Sequence, residues 1–134
     1  MPAYAYLDSS ALVKLAVRED ETAALESDVV HRGALFTSIV AETELRRAIG
    51  RAGKPPRPQQ VDDVLGAVFL AALTSSIVQR AGRLTPTSLR TLDALHVATA
   101  LSLDVPELEF ITYDDRQADA ARACGLHVVQ PGRG

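Results

Sequence analysis

Ala3-Tyr4-Ala5-Tyr6-Leu7-Asp8-Ser9-Ser10-Ala11-Leu12-Val13-Lys14-Leu15 decides the fold. A short apolar run ends on an acid, two small hydroxyl residues follow, and apolar residues then recur at helical spacing. This reads as a strand, about Ala3 to Leu7, turning directly into a helix from Ser9 or Ser10 to about Val17. Parallel sheets are built from such strand-to-helix units, so the expected class is α/β: a three-layer α/β/α sandwich around a mainly parallel sheet.

The rest of the chain repeats the alternation. A second helix is expected from about Glu19 to Val30, and Gly33 breaks before a strand at about Leu35 to Thr37. Ser38 is the expected N-cap of a third helix that ends near Gly50 to Gly53. Lys54-Pro55-Pro56-Arg57-Pro58 reads as a loop, because so many prolines cannot continue a helix. A helix from about Gln59 to Leu65 precedes a strand at Val68 to Leu73, and Ser75 to Leu84 is helical up to the break at Pro86. Thr91 to Leu103 is the most apolar helix and should be buried on most sides. Phe110 to Thr112 is a strand, Arg116 to Cys124 a helix closed by Gly125, and His127 to Val129 the last strand.

Length and composition set the frame. A chain of 134 residues suits one domain over 1–134 and a core that needs no covalent staples. Apolar residues make up 47% but aromatics only 4%, so Ala, Leu and Val must build the core. A net charge of −3 argues against a generally basic coat, though not against a local basic patch. Cys124 is the only cysteine, which excludes an internal disulfide; it reads as a small buried residue near a helix end. No apolar run has membrane length and no basic-then-apolar leader opens the chain, so a cytoplasmic, membrane-free protein is expected.

Four acids stand at the margins of apolar segments. Asp8 ends the first strand. Glu44 lies in Ser38-Ile39-Val40-Ala41-Glu42-Thr43-Glu44-Leu45, Asp93 in Leu92-Asp93-Ala94-Leu95-His96-Val97-Ala98, and Asp114 ends Phe110-Ile111-Thr112-Tyr113. Isolated carboxylates in such frames are costly to bury unless a cation serves them together. Oxygen-only ligands suit Mg²⁺ or Mn²⁺. Asp8 and Asp114 directly follow strands, and ligands of open parallel sheets bind at the carboxyl ends of strands. Each acid also has a plain role: Asp8 as an N-cap, Asp114 with Gln117 as a capping box, Asp93 as a first-turn acid. Helical spacing sets Glu44 with Val40, Ala41 and Ala48 on an apolar face, whereas Glu42 pairs outward with Arg46 at i,i+4. Asp115 is an outer assistant to the cluster, and Asp119 a surface residue.

Arg46, Arg47, Arg51, Lys54 and Arg57 fall between Glu44 and Asp62 with no acid among them. They form the expected patch for a phosphate backbone, with a solubilising surface as the plain alternative. His96 reads as a packed, hydrogen-bonded histidine. The stripes Leu12, Val13, Leu15 and Leu25, Val29 are expected to stay partly open for a partner.

These segments resemble the PIN-domain ribonucleases, in particular the VapC toxins of toxin–antitoxin pairs. The resemblance rests on residues 6–15, 44–48, 92–100 and Thr112-Tyr113-Asp114, followed by Ala120-Ala121 and Gly125-Leu126. It implies an acidic pocket holding Mg²⁺ or Mn²⁺, with Asp8, Glu44, Asp93 and Asp114 as its acids and Ser10 and Thr112 as steadying hydroxyls. It further implies endonucleolytic cleavage of RNA, of the tRNA or rRNA class, by metal-activated water, leaving 5′-phosphate and 3′-hydroxyl ends. A homodimer and a cognate VapB-like antitoxin are also implied. A phosphatase or receiver domain fits poorly, because Ser9-Ser10 follow Asp8 and no lysine occurs after Lys54. The remaining alternative is a non-catalytic or housekeeping RNA- or partner-binding protein on the same scaffold.

Overall fold

A computed structural model describes residues 2–51 and 58–133. Helices α1 (Ser9–Ala16), α2 (Thr22–Val29), α3 (Val40–Arg51), α4 (Pro58–Gly66), α5 (Ser75–Gly82), α6 (Thr91–Ser102) and α7 (Asp115–Ala123) surround one sheet. Its strands are β1 (Tyr4–Leu7), β2 (Ala34–Ser38), β3 (Phe69–Ala71), β4 (Glu109–Ile111) and β5 (His127–Val129), in the order β3-β2-β1-β4-β5. Every pairing is parallel, as the strand–helix alternation requires.

The period-2 alternation of β1 divides the core between the two faces. Ala5 and Leu7 point into a cluster with Leu12 of α1, Leu25 of α2 and Leu45 of α3. Tyr6 points the other way, into a cluster with Val97 of α6, Phe110 of β4, and Ala118 and Ala121 of α7. Its ring stacks on Phe110 with centroids 5.2 Å apart. The small residues of α6 and α7 let those helices sit close to the sheet.

Three expectations are corrected and one holds in part. Ser38 belongs to β2, where its hydroxyl accepts from Val40 N at 3.3 Å, and Ile39 intervenes before α3. Arg46 turns to Asp62 at 2.8 Å rather than to Glu42, because α4 packs beside α3 and brings a carboxylate within reach. The α1 and α2 stripes stay partly open as expected at Val13, Leu15 and Val29, whereas Leu12 and Leu25 are fully buried. Asp114 does cap α7, but the Gln117 side chain does not complete a capping box; it is buried with both amide atoms unpartnered. The expected proline-rich loop, with Lys54 and Arg57, lies outside the described residues.

Candidate active site

Asp8 is the anchor. It continues the line of β1, with its N–H donating to Ile111 O at 3.3 Å, and it caps α1 by accepting from Ala11 N at 3.2 Å. The Ser10 hydroxyl donates to Oδ1 at 2.6 Å and the Thr112 hydroxyl to Oδ2 at 2.5 Å. Thr112 Oγ1 in turn accepts from Asp114 N at 3.1 Å, and Ser10 Oγ accepts from Tyr113 N at 2.9 Å. These bonds lock the end of β1 to the end of β4. Asp8 is both cap and candidate site residue, because a cap on the first helix after the first strand sits on the carboxyl edge of the sheet. Burial pushes its carboxyl up; His96 and the donated bonds from Ser10, Thr112 and Ala11 pull it back.

Glu44 reaches the same edge from α3. Its side chain is 15% exposed, whereas Glu42 faces solvent. Ser9 Oγ donates to its Oε2 at 3.3 Å, and His96 Nε2 lies 2.5 Å from its Oε1. His96 is wholly buried, and its Nδ1 lies 2.6 Å from the Tyr6 hydroxyl. Burial raises the Tyr6 pKa well above its ordinary value, and the Asp8 and Glu44 charges add to this against the Thr37 and Thr99 hydroxyls. The phenol therefore keeps its proton. Tyr6 O–H donating to Nδ1, with Nε2–H donating to Glu44, satisfies all three groups. Tyr6 and His96 thus fix the carboxylate of Glu44 from below. The only sequence signal of this was the i,i+3 spacing of Asp93 and His96 on one helix; Tyr6 lies 90 positions from His96.

Asp93 stands half-buried in the first turn of α6. Its carboxyl is pushed up to about 6, first by loss of solvent and then by the charges of Asp114 and Asp8, with Glu44 adding to them and His96 opposing. The four acids therefore share one electrostatic field. Asp114, half-buried, spends Oδ1 on the N–H groups of Arg116 (2.9 Å) and Gln117 (3.3 Å). Asp115 turns outward, 3.5 Å from both Gln130 Nε2 and Arg133 Nη1, and away from the cluster. Asp119 is a surface residue 3.6 Å from Arg122. Of the arginines, Arg47 and Arg51 line a cleft of about 380 Å³ with Glu44 and Ser9, while Arg46 is engaged by Asp62.

The donor set fits a hard divalent cation, being all oxygen and mutually repulsive. Among the described residues, no three His, Cys, Asp or Glu side chains are placed to hold one metal ion together. An open arrangement suits Mg²⁺, which takes one or two carboxylates and keeps several waters.

A parallel α/β/α fold with an acid cluster at the carboxyl edge of its sheet defines the class. Residues 5–123 match the PIN-domain family model, and the chain belongs to that family, in its VapC branch. It is 42% identical over 126 residues to Ribonuclease VapC46 of Mycobacterium tuberculosis, covering 94% of this chain and 96% of the relative. It is 39% identical over 132 residues to Ribonuclease VapC35 of the same species, covering 96% and 97%. The fold matches the crystal structure of Mycobacterium tuberculosis VapC20, described as a sarcin-ricin loop cleaving toxin, with a TM-score of 0.72 at 14% identity, covering 95% and 99%. A toxin–antitoxin complex from Klebsiella pneumoniae matches with a TM-score of 0.67 at 19% identity, covering 95% and 97%. Among the described residues, no helix is long and apolar enough to cross a membrane.

Proposed function

We propose that this protein is a divalent-metal-dependent endoribonuclease, the toxin of a toxin–antitoxin pair, with Mg²⁺ or Mn²⁺ held by Asp8, Glu44, Asp93 and Asp114. The observation that carries the site assignment is the set of four acids acting on one another with no lysine or arginine paired to any of them among the described residues. Membership of the VapC branch supports the choice of RNA, and a VapB-like antitoxin as partner.

When bound, the cation lowers the pKa of a coordinated water and offsets charge on the phosphoryl group and the leaving oxygen. The chain supplies position. Ser10, Thr112 and Ala11 N fix the Asp8 carboxylate. His96 and Ser9 fix Glu44, so its lone pairs face the cluster at little entropic cost. Asp93, at the open margin, has its carboxyl pushed up to about 6 by loss of solvent and by the neighbouring acids, a repulsion that a bound cation would relieve. Arg47 and Arg51 hold phosphates of the strand on the α3 side.

Purified protein should cleave RNA with Mg²⁺ or Mn²⁺ and not with EDTA, giving 5′-phosphate ends on mapping. Co-expression with a cognate VapB-like antitoxin should relieve growth arrest. Cleavage that persists in EDTA would rule out the metal mechanism, and a protein that leaves RNA intact under all these conditions would rule out the nuclease.

A further inference from the structure

A second groove borders the acid cluster at Asp93 and shares no lining residue with the Arg47–Arg51 cleft. It encloses about 600 Å³ between the segment before α6 and the outer face of α7. Asp93 lies on its wall, together with Arg90 and Arg116, and Pro86, Leu89 and Ala120 give it an apolar lining. Adjacent residues in the first turn of α6 line the two grooves: Leu92 the α3 groove and Asp93 the α7 groove. Leu92 is 44% exposed between them.

The arginines of this groove are free to bind. Arg90 and Arg116 are exposed, and neither side chain enters an ion pair among the described residues. Arg90 is the N-cap residue of α6, but a guanidinium has no acceptor with which to cap, so the side chain takes no part in the cap. Asp119 also lines the groove, but Arg122 stands 3.6 Å from it and partly answers its charge. By contrast, Arg46, Arg32 and Arg133 each have a carboxylate at hydrogen-bond distance.

We propose that the Arg90–Arg116 groove is a second backbone-binding site for single-stranded RNA, so that the strand crosses the acid cluster from one basic groove to the other. This rests on the ribonuclease reading. Uncommitted guanidiniums match phosphates, and the apolar lining accepts a base face. A strand held on both sides presents the phosphate between them to Asp93 and Asp8, and two-point tethering limits its motion at the reacting centre. The site takes phosphodiester backbone and is indifferent to base identity.

The test is equilibrium binding of a fluorescent mixed-sequence RNA of roughly 12 nucleotides, a length in the range of single-strand sites. Ca²⁺ replaces Mg²⁺ to keep the strand intact, and salt is varied. The double variant Arg90→Gln/Arg116→Gln should bind at least about tenfold more weakly, with a salt slope shallower by about 0.7 for each phosphate no longer neutralised. The double variant Arg90→Lys/Arg116→Lys should recover most of the slope, since point charge suffices for phosphate. Affinity and slope unchanged in the Gln variant overturn the groove, as does a weakening that lysine does not restore. Intact RNA binding together with failure to bind a cognate VapB-like antitoxin would assign the groove to that protein and overturn the proposal. If the wild-type protein binds no RNA, the ribonuclease reading falls too; if only the variants fail to differ, it stands.

Discussion

The two ends of the sheet treat buried charge in opposite ways. At the amino edge, Arg32 is 1% exposed and lies between Asp28 at 2.9 Å and Glu109 at 2.6 Å. Its Nη1 also donates to Pro2 O, and His127 Nδ1 lies 3.0 Å from the other oxygen of Glu109. Arg32, Asp28 and Glu109 there each have a partner of opposite sign from the chain itself. At the carboxyl edge, Asp8, Glu44, Asp93 and Asp114 gather, and among the described residues only the His96 imidazole pairs with any of them. The first arrangement braces the fold. The second works against it, and persists because Asp8 and Glu44 are held by hydroxyls, a backbone amide and His96. An acid cluster left without a cation by a chain that supplies one elsewhere is suited to a cation from outside.

The sharpest way to break this comparison is to remove a charge from each end. Arg32→Met strands two buried carboxylates and should cost about 3–5 kcal/mol, read from the urea midpoint. A loss under about 1 kcal/mol would mean that the amino edge is not a brace. Asp93→Asn should do the reverse: RNA cleavage falls by roughly a thousandfold, while the melting temperature holds or rises, because one repulsive charge is gone. Asp8→Asn should behave alike, since Asn still caps α1. Glu44→Gln should be far more damaging than Glu42→Gln, and equal activities of those two would discard the assignment of Glu44.

A smaller effect concerns pH. Native Asp93 keeps its proton to about 6, against an ordinary value of 3.8. Its contribution to stability is therefore fully present below about 3.8 and is lost as pH rises through about 6. The half-open setting limits the loss to about 1 kcal/mol. Melting curves of the metal-free protein should show this decline, and Mg²⁺ or Asp93→Asn should flatten it. A stability that rises over this window, metal-free, and in the same way for wild type and Asp93→Asn, would contradict the shared field. The smallest effect is expected from Tyr6→Phe. It removes one buried hydrogen bond to His96, worth about 1 kcal/mol, and loosens Glu44. Cleavage should slow by up to about tenfold with KM for RNA unchanged; a change in KM alone would place Tyr6 outside the support of Glu44.

Much of this was legible in the chain. Asp8 after Ala3-Tyr4-Ala5-Tyr6-Leu7 and Asp114 after Phe110-Ile111-Thr112-Tyr113 mark strand ends, and parallel strands share one carboxyl edge. The wheel separated Glu44 from Glu42, because a helix on a sheet has one buried face. The arginine patch was only half legible. Sequence proximity grouped Arg46 with Arg47 and Arg51, but successive residues on a helix point about 100° apart, so Arg46 meets α4 while the other two meet the cleft.

The sequence by itself determined the elements and their order, since apolar periodicity and breakers act over a few residues. It also determined which acids stand at apolar margins. Tertiary structure alone decided what those acids touch. The hydroxyl of Thr112 on Asp8, Tyr6 behind His96, and His96 behind Glu44 join residues 104, 90 and 52 positions apart. Such pairings follow from strand order and from the seating of α3 and α6 on the sheet. Both are set by packing summed over the whole core rather than by any local pattern.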